Sequence, residues 1–155
     1  MIQVTVAQPE DIPAWFVLAA EVEPLFGPMI AEPSFQRALR KNIERGTAFC
    51  VRVADGPPGA PLRGGLLFSS RPPVYTIGWL AVAQQYRRTG IGKKLVEHVL
   101  GFVKPPAELI VTTFGPDQSG GEAARLFYES IGFQAVEPEP DGPEGGSRQI
   151  FRRTL

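Results

Sequence analysis

One stretch decides the fold of this chain: residues 80–95, which read LAVAQQYRRTGIGKKL. An apolar segment ends at Val82, a polar link carrying Arg87 and Arg88 follows, and Gly90-Ile91-Gly92 opens an amphipathic helix. One face of that helix carries the apolar residues Ile91, Leu95, Val99 and Phe102. The pattern therefore predicts a strand, a glycine turn and a helix in succession.

The start of such a helix favours the binding of an anion. Its first turn leaves backbone N–H groups without partners inside the helix and carries about half a unit of positive dipole charge. Gly90 and Gly92 let another molecule approach the backbone closely, and Arg87, Arg88 and Lys93 add full charges. We therefore predict a site for a pyrophosphate-like group here.

Two common phosphate-binding patterns do not fit this stretch. The P-loop requires G-x-x-x-x-G-K-[ST], but Arg87 stands at its first glycine and Lys94 at its final hydroxyl residue. The dinucleotide pattern G-x-G-x-x-G fits Gly90 and Gly92 but meets Leu95 at its third glycine.

Two segments resemble a different family. The run Arg87–Gly92 has the form R-x-x-G-x-G and follows an L-x-V strand, so it resembles motif A of the GNAT superfamily, the acetyl-CoA-dependent N-acetyltransferases. Residues 124–133, ARLFYESIGF, resemble the A-x-x-x-Y-x-x-x-G-F segment of the same superfamily. The resemblance is clear over residues 77–133, and the two motifs occur in the family's order.

The coarse secondary structure agrees with that resemblance. Strands are predicted at residues 2–7, 47–54, 62–69, 74–82 and 108–114, with two more near the end of the chain. Helices are predicted after Pro9, from a Ser34 cap to Gly46, from Gly90, and after a capping box at Ser119–Glu122. The predicted fold is α/β, an α+β mixed sheet of the GNAT acyl-CoA N-acyltransferase type in the order β-α-α-β-β-β-α-β-α-β-β. We expect residues 1–155 to form a single domain.

Composition narrows the class of partner. The 155 residues carry 16 basic and 16 acidic side chains, so no net field draws the protein to nucleic acid or to a membrane. No apolar run approaches the roughly 20 residues of a membrane span, and no signal peptide is seen, so a cytoplasmic location is expected. Cys50 is the only cysteine, which excludes disulfides and cysteine zinc sites. No metal is expected.

The resemblance implies that acetyl-CoA is the co-substrate. The backbone of residues 88–93 would hold the diphosphate, with the Arg87 and Arg88 side chains assisting. The backbone of residues 80–82, at a bulge that separates two parallel strands in the family, would bond the thioester carbonyl. The residues predicted to bind acetyl-CoA are Leu80, Ala81, Val82, Arg87, Arg88, Thr89, Gly90, Ile91, Gly92 and Lys93.

The resemblance also assigns a role to Tyr128. It matches the tyrosine that protonates the leaving thiolate in many family members, so it is the predicted general acid. The alternative is a packing role, because Ala124, Phe127, Tyr128 and Ile131 form one apolar helix face.

The general base and the acceptor stay open. Family members often carry a glutamate on the strand before motif A, but residues 74–79 contain no acid. A water relay or one of four other carboxylates could serve: Glu21, Glu23, Glu32 or Asp117. An apolar floor flanked by Glu21 and Glu23 would suit a cationic amine; its candidate residues are Trp15, Phe26 and Met29.

These observations favour an N-acetyltransferase in which a primary amine, of a small molecule or of a peptide, attacks acetyl-CoA directly in a ternary complex. Two alternatives remain: a GNAT-fold module that binds acyl-CoA without turnover, and a nucleotide-phosphate binder that uses the same helix start. A homodimer is left open.

Overall fold

The computed structural model describes residues 2–26, 29–114, 121–139 and 148–155. The helices in these ranges are α1 (Ile12–Phe26), α2 (Pro33–Arg45), α3 (Ile91–Leu100) and α4 (Glu122–Ser130). The strands are β1 (Thr5–Val6), β2 (Ala48–Arg52), β3 (Leu62–Arg71), β4 (Val74–Val82), β5 (Glu108–Phe114), β6 (Gln134–Glu139) and β7 (Arg148–Thr154). The predicted order of elements is confirmed.

The chain divides into two compact units, residues 1–69 with 79–102 and residues 70–78 with 103–155. In the first unit, β1 pairs antiparallel with β2, and β2 pairs antiparallel with β3. A Cβ on Gly65 would meet the Trp15 ring of α1, whereas one on Gly64 would meet Ile91 and Leu95 of α3. Because consecutive strand residues face opposite sides of a sheet, α1 and α3 cover opposite faces of β3.

The buried face of α3 follows the predicted period. Ile91, Leu95 and Val99 of the predicted face are buried, and Val96, which was not part of that prediction, is buried as well. The helix ends at Leu100, so Phe102 lies beyond it; this side chain is 52% exposed and stacks on the Phe49 ring at 5.7 Å. The last apolar position of the predicted face is therefore not part of the helix.

An ion pair is buried in the core of the first unit. Arg52, at the end of β2, donates to Asp11 through Nε (3.0 Å) and through a terminal nitrogen (2.7 Å). The amides of Gln8 and Gly59 also donate to this carboxylate, at 2.8 and 3.0 Å. Burial alone would raise the Asp11 pKa, but these hydrogen bonds and the Arg52 charge lower the pKa below its usual 3.8.

The second unit supplies the parallel pairing of the mixed sheet. Val74–Ile77 of β4 pair parallel with Glu108–Val111 of β5. Strand β7 then pairs antiparallel with β5 and with β6. Strand β4 contributes residues to both units. Parallel and antiparallel pairs occur together, so the predicted mixed sheet is confirmed.

Several element ends differ from the predictions. Strand β1 is shorter than predicted. Helix α1 includes Pro24 in its last turn and ends at Phe26, because the missing proline amide removes only one late helical bond. The cap of α2 is Glu32 and not Ser34, because Pro33 takes the first helical position, which suits its fixed φ and missing N–H. Helix α4 is capped by Gly121, and the predicted capping serine, Ser119, lies outside the described residues.

No helix within the described ranges has the length and apolar character that a membrane span requires.

Candidate functional site

The link between β4 and α3 is shaped by two left-handed residues. A 3₁₀ turn at Gln84–Tyr86 is followed by Arg88 at φ 64° and by Gly90 at φ 89°, and Gly90 caps α3. The Thr89 hydroxyl donates to the Tyr86 carbonyl, which closes the turn. A left-handed residue followed by a helical one aligns successive amides into a concave nest for anions.

The amides that begin α3 are available to a ligand. Lys94 is the first residue of the helix whose amide reaches a backbone carbonyl, that of Gly90 at 3.0 Å. In the part of the chain that the structure describes, no backbone carbonyl accepts from the amides of Ile91, Gly92 or Lys93. These three N–H groups are the uncompensated donors that the sequence predicted at this helix start.

The charged side chains of the link are exposed to solvent. Arg87, Arg88 and Lys93 are all exposed, and Arg87 donates from Nε to the Val82 carbonyl at 3.2 Å. This bond fixes the first arginine against the end of β4. Three positive side chains thus belong to the link and to the first turn of α3, and solvent reaches all of them.

The end of β4 presents two amides away from β3. The Ala83 amide donates to the Arg63 carbonyl of β3 at 2.8 Å. The Ala81 carbonyl would lie 3.1 Å from a Cβ on Gly64 of β3, so the backbone groups of Ala81 and Ala83 both face β3. Backbone groups of successive strand residues point to opposite edges, so the N–H groups of Leu80 and Val82 point to the edge opposite β3. The ladder between β4 and β5 ends at Ile77, before both residues.

Tyr128 is a core residue of the second unit. Its ring packs against Phe127, Phe133 and Phe151, with centroids 5.1, 5.5 and 6.1 Å away. Burial raises the pKa of its phenol above the usual 10. The phenol therefore stays protonated at neutral and moderately alkaline pH, which is the form that a proton donor needs. The packing role considered from the sequence is seen directly.

The candidate carboxylates have different surroundings. Glu23 accepts from the amides of Ile30 (2.8 Å) and Met29 (2.9 Å), and these two bonds lower the pKa of its carboxyl. Glu23 therefore holds the chain that follows α1. Glu32 is exposed at the start of α2, and Asp117 lies outside the described residues.

Glu21 contacts the candidate site itself. Its Oε2 accepts from the Gln84 amide at 3.1 Å, which links α1 to the 3₁₀ turn between β4 and α3. The two residues are 63 positions apart, so no local pattern could have indicated this contact.

The apolar residues proposed for an acceptor floor belong mainly to the core. Trp15 is fully buried, and its ring lies 5.5 Å from that of Trp79 on β4. Met29 is also buried. The Phe26 side chain lies outside the described part.

No group of three or more histidine, cysteine, aspartate or glutamate side chains among the described residues could hold a metal ion.

Similarity to solved structures covers nearly the whole chain. An acetyltransferase of the GNAT family from Bacillus cereus ATCC 10987 is 18% identical with a TM-score of 0.75, over 99% of this chain and 97% of that one. The ribosomal-protein-S18-alanine N-acetyltransferase from Escherichia coli is 19% identical with a TM-score of 0.70, over 100% and 94%. The PaiA N-acetyltransferase from Thermoplasma acidophilum, in complex with coenzyme A, is 14% identical with a TM-score of 0.73, over 100% and 99%. At these identities the likeness shows the fold.

The family follows from a comparison of sequence. No curated protein matches the chain significantly. Residues 45–135, more than half of the chain, match the acetyltransferase (GNAT) domain. They contain both motifs that the sequence analysis identified. The chain belongs to the GNAT acetyltransferase family.

Proposed function

We propose that this protein is an N-acetyltransferase that moves the acetyl group of acetyl-CoA to a primary amine by direct attack in a ternary complex. The observation that carries the proposal is the set of free amides at Ile91, Gly92 and Lys93, directly after the left-handed Gly90. A diphosphate has the acceptor oxygens and the negative charge that such a helix start requires. In this proposal residues 1–155 act as one domain, since β4 contributes to both compact units.

Each part of the link would have a separate task. The free amides hold the diphosphate, and the exposed Arg87, Arg88 and Lys93 add charge around it. Acetyl-CoA supplies a thioester whose carbonyl oxygen gains negative charge during the attack. The amide of Leu80 or Val82 donates to that oxygen, and a donor of this kind is worth about 10²–10³ in rate.

Tyr128 is the proposed donor to the leaving sulfur. At reference values a phenol is a weaker acid than a thiol by about 1.5 pKa units, or about 2 kcal/mol against transfer. Burial, which raises the Tyr128 pKa, increases this gap. The phenol therefore stabilises the thiolate mainly as a hydrogen-bond donor. The proton that the sulfur finally takes comes from solvent.

One observation favours a second candidate, an acyl-CoA-binding module without turnover. Residues 74–79 provide no acid on the strand where family members often carry their base. This module would bind acetyl-CoA at the same amides and release no CoA.

A thiol-release assay distinguishes the two candidates. Acetyl-CoA is offered with tyramine, spermidine, Nα-acetyl-lysine and a peptide with a free amino terminus, and free CoA is followed over time. Calorimetry with acetyl-CoA, ATP and NAD measures binding on the same protein. We expect acetyl-CoA to bind most tightly and at least one amine to release CoA. Tight binding without release on any amine would support the binding module, and a preference for ATP would overturn both.

A further inference from the structure

We propose that Glu21 is the general base that takes a proton from the acceptor amine. The inference rests on the proposed acetyl transfer and adds to it the group that the sequence left open. An alkylamine has a reference pKa near 10, so at neutral pH nearly all of it is the ammonium ion and cannot attack. A carboxylate beside the reacting atoms removes that obstacle.

Glu21 lies beside the segment that follows β4. Glu21 Oε2 lies 3.1 Å from the amide of Gln84. Gln84 follows Val82 by two residues, and two residues of extended chain span at most about 7 Å. The carboxylate therefore lies close to the end of β4, where the Leu80 and Val82 amides point away from β3. A base must reach the proton that it removes directly or through one water. In the proposed site the acceptor amine would stand between the thioester carbonyl at the end of β4 and this carboxylate.

One oxygen of the Glu21 carboxylate is available to take a proton. Glu21 is exposed, and the one hydrogen bond that the structure gives its carboxylate uses Oε2. The Gln84 amide thus fixes the direction of the carboxylate, and Oε1 has no partner among the described residues. A base on a helix, oriented by a backbone donor, is held more precisely than one on a free loop.

Four other carboxylates of the first unit have partners of their own: Asp11 is paired with Arg52, Glu23 with two backbone amides, Asp55 with Arg63, and Glu97 with Lys94. Within the described residues of this unit, Glu21 is the carboxylate bonded to the segment that connects β4 to α3.

In the proposed reaction a proton first moves from the ammonium nitrogen to Oε1 of Glu21, directly or through one water. The nitrogen lone pair then attacks the thioester carbon, the C–N bond forms, and the C–S bond breaks with its electron pair on sulfur. The nitrogen is positively charged after the attack, and it releases its second proton to water as the amide forms. Tyr128 donates a hydrogen bond to this sulfur, which takes its proton from solvent. Glu21 returns its own proton to water.

Glu21→Gln tests the inference because glutamine can still accept from the Gln84 amide while it cannot take a proton. The fastest acceptor of the amine panel is used, and kcat/KM is measured from pH 6 to pH 10. We expect kcat/KM near pH 7 to fall about 100-fold, with the deficit narrowing as pH approaches the pKa of the amine. The Kd of acetyl-CoA and the Tm should stay at their wild-type values. Glu44→Gln, an exposed change on α2, is the matched control and should change none of these quantities.

Two results would overturn the inference alone: wild-type kcat/KM in Glu21→Gln, or a fall of the same size at every pH, which is the sign of a structural role. Wild-type protein that binds acetyl-CoA and releases no CoA with any amine would overturn the proposed function, and the base with it. The two failures are therefore distinguishable, since the first requires an active wild type.

Discussion

The indole of Trp15 lies so close to Gly65 that a Cβ on the glycine would be 2.8 Å from Trp15 Cη2. The ring therefore packs directly on the backbone of β3, and α1 docks closely on this strand. Because Glu21 lies on the same helix, this contact also helps to set where its carboxylate meets Gln84.

Gly65→Ala should destabilise the protein by about 1–3 kcal/mol, because the added methyl group overpacks a site already filled by the indole. Urea unfolding measures the change. The matched control is the double variant Gly65→Ala/Trp15→Phe, in which the smaller ring leaves space for the methyl group. We expect the double variant to be more stable than the sum of the two single changes by at least about 0.5 kcal/mol. Strict additivity would show that the two residues do not meet as described.

Asp11→Asn should be more damaging, at about 3–5 kcal/mol, because it leaves the buried Arg52 charge without its partner. Asp55→Asn is the control: its ion pair with Arg63 is partly exposed, so its loss should cost about 1 kcal/mol or less. Equal losses of unfolding free energy in the two variants would contradict the role assigned to burial.

Acid should weaken the same ion pair. The folded-state pKa of Asp11 lies below the usual 3.8, so its contribution to stability is fully present above about pH 4 and is lost as pH falls through the folded value. Thermal unfolding measured from pH 7 down to pH 2 should show this loss in the wild type. Asp11→Asn should show a shallower acid decline, and an identical decline in both proteins would rule out Asp11 as its source.

Gly92→Leu should raise the Kd of acetyl-CoA by about 100-fold or more, since a bulky side chain in the first turn of α3 blocks the approach to two or more charge-assisted amide bonds. Calorimetry measures the Kd. Glu97→Leu introduces the same side chain later in the same helix, at an exposed position, and should leave the Kd unchanged. Unchanged affinity in Gly92→Leu would mean that coenzyme A binds elsewhere.

Tyr128→Phe should lower kcat about 100-fold at nearly constant affinity for acetyl-CoA, because a hydrogen bond to a developing charge is lost. Tyr75→Phe, also in the second unit, removes a hydroxyl that accepts from the Lys104 amide at 3.4 Å, and its kcat should stay near that of the wild type. Since burial raises the Tyr128 pKa, its ionisation should cause no loss of activity up to about pH 10. Full turnover in Tyr128→Phe would leave only the packing role.

Local patterns predicted the order of the elements well. The α3 face, the left-handed cap at Gly46 and the bounds of β5 all depend on side-chain period or turn chemistry within a few residues. The residues that cap the helices were predicted less accurately. Ser34 has the chemistry of a cap, but the adjacent Pro33 takes the first helical position, so α2 starts two positions earlier than a Ser34 cap would allow.

The sequence by itself determined the family and the free amides of the α3 start, because a glycine turn followed by an amphipathic helix exposes its first N–H groups in any surroundings. Only the tertiary structure decided which side chains have partners. Asp11 meets Arg52 across 41 positions, Glu21 meets Gln84 across 63, and the ring of Tyr128 packs on Phe151 of β7. Contacts of this kind depend on how helices dock on strands, and a side chain's hydrogen bonds and pKa follow from that docking.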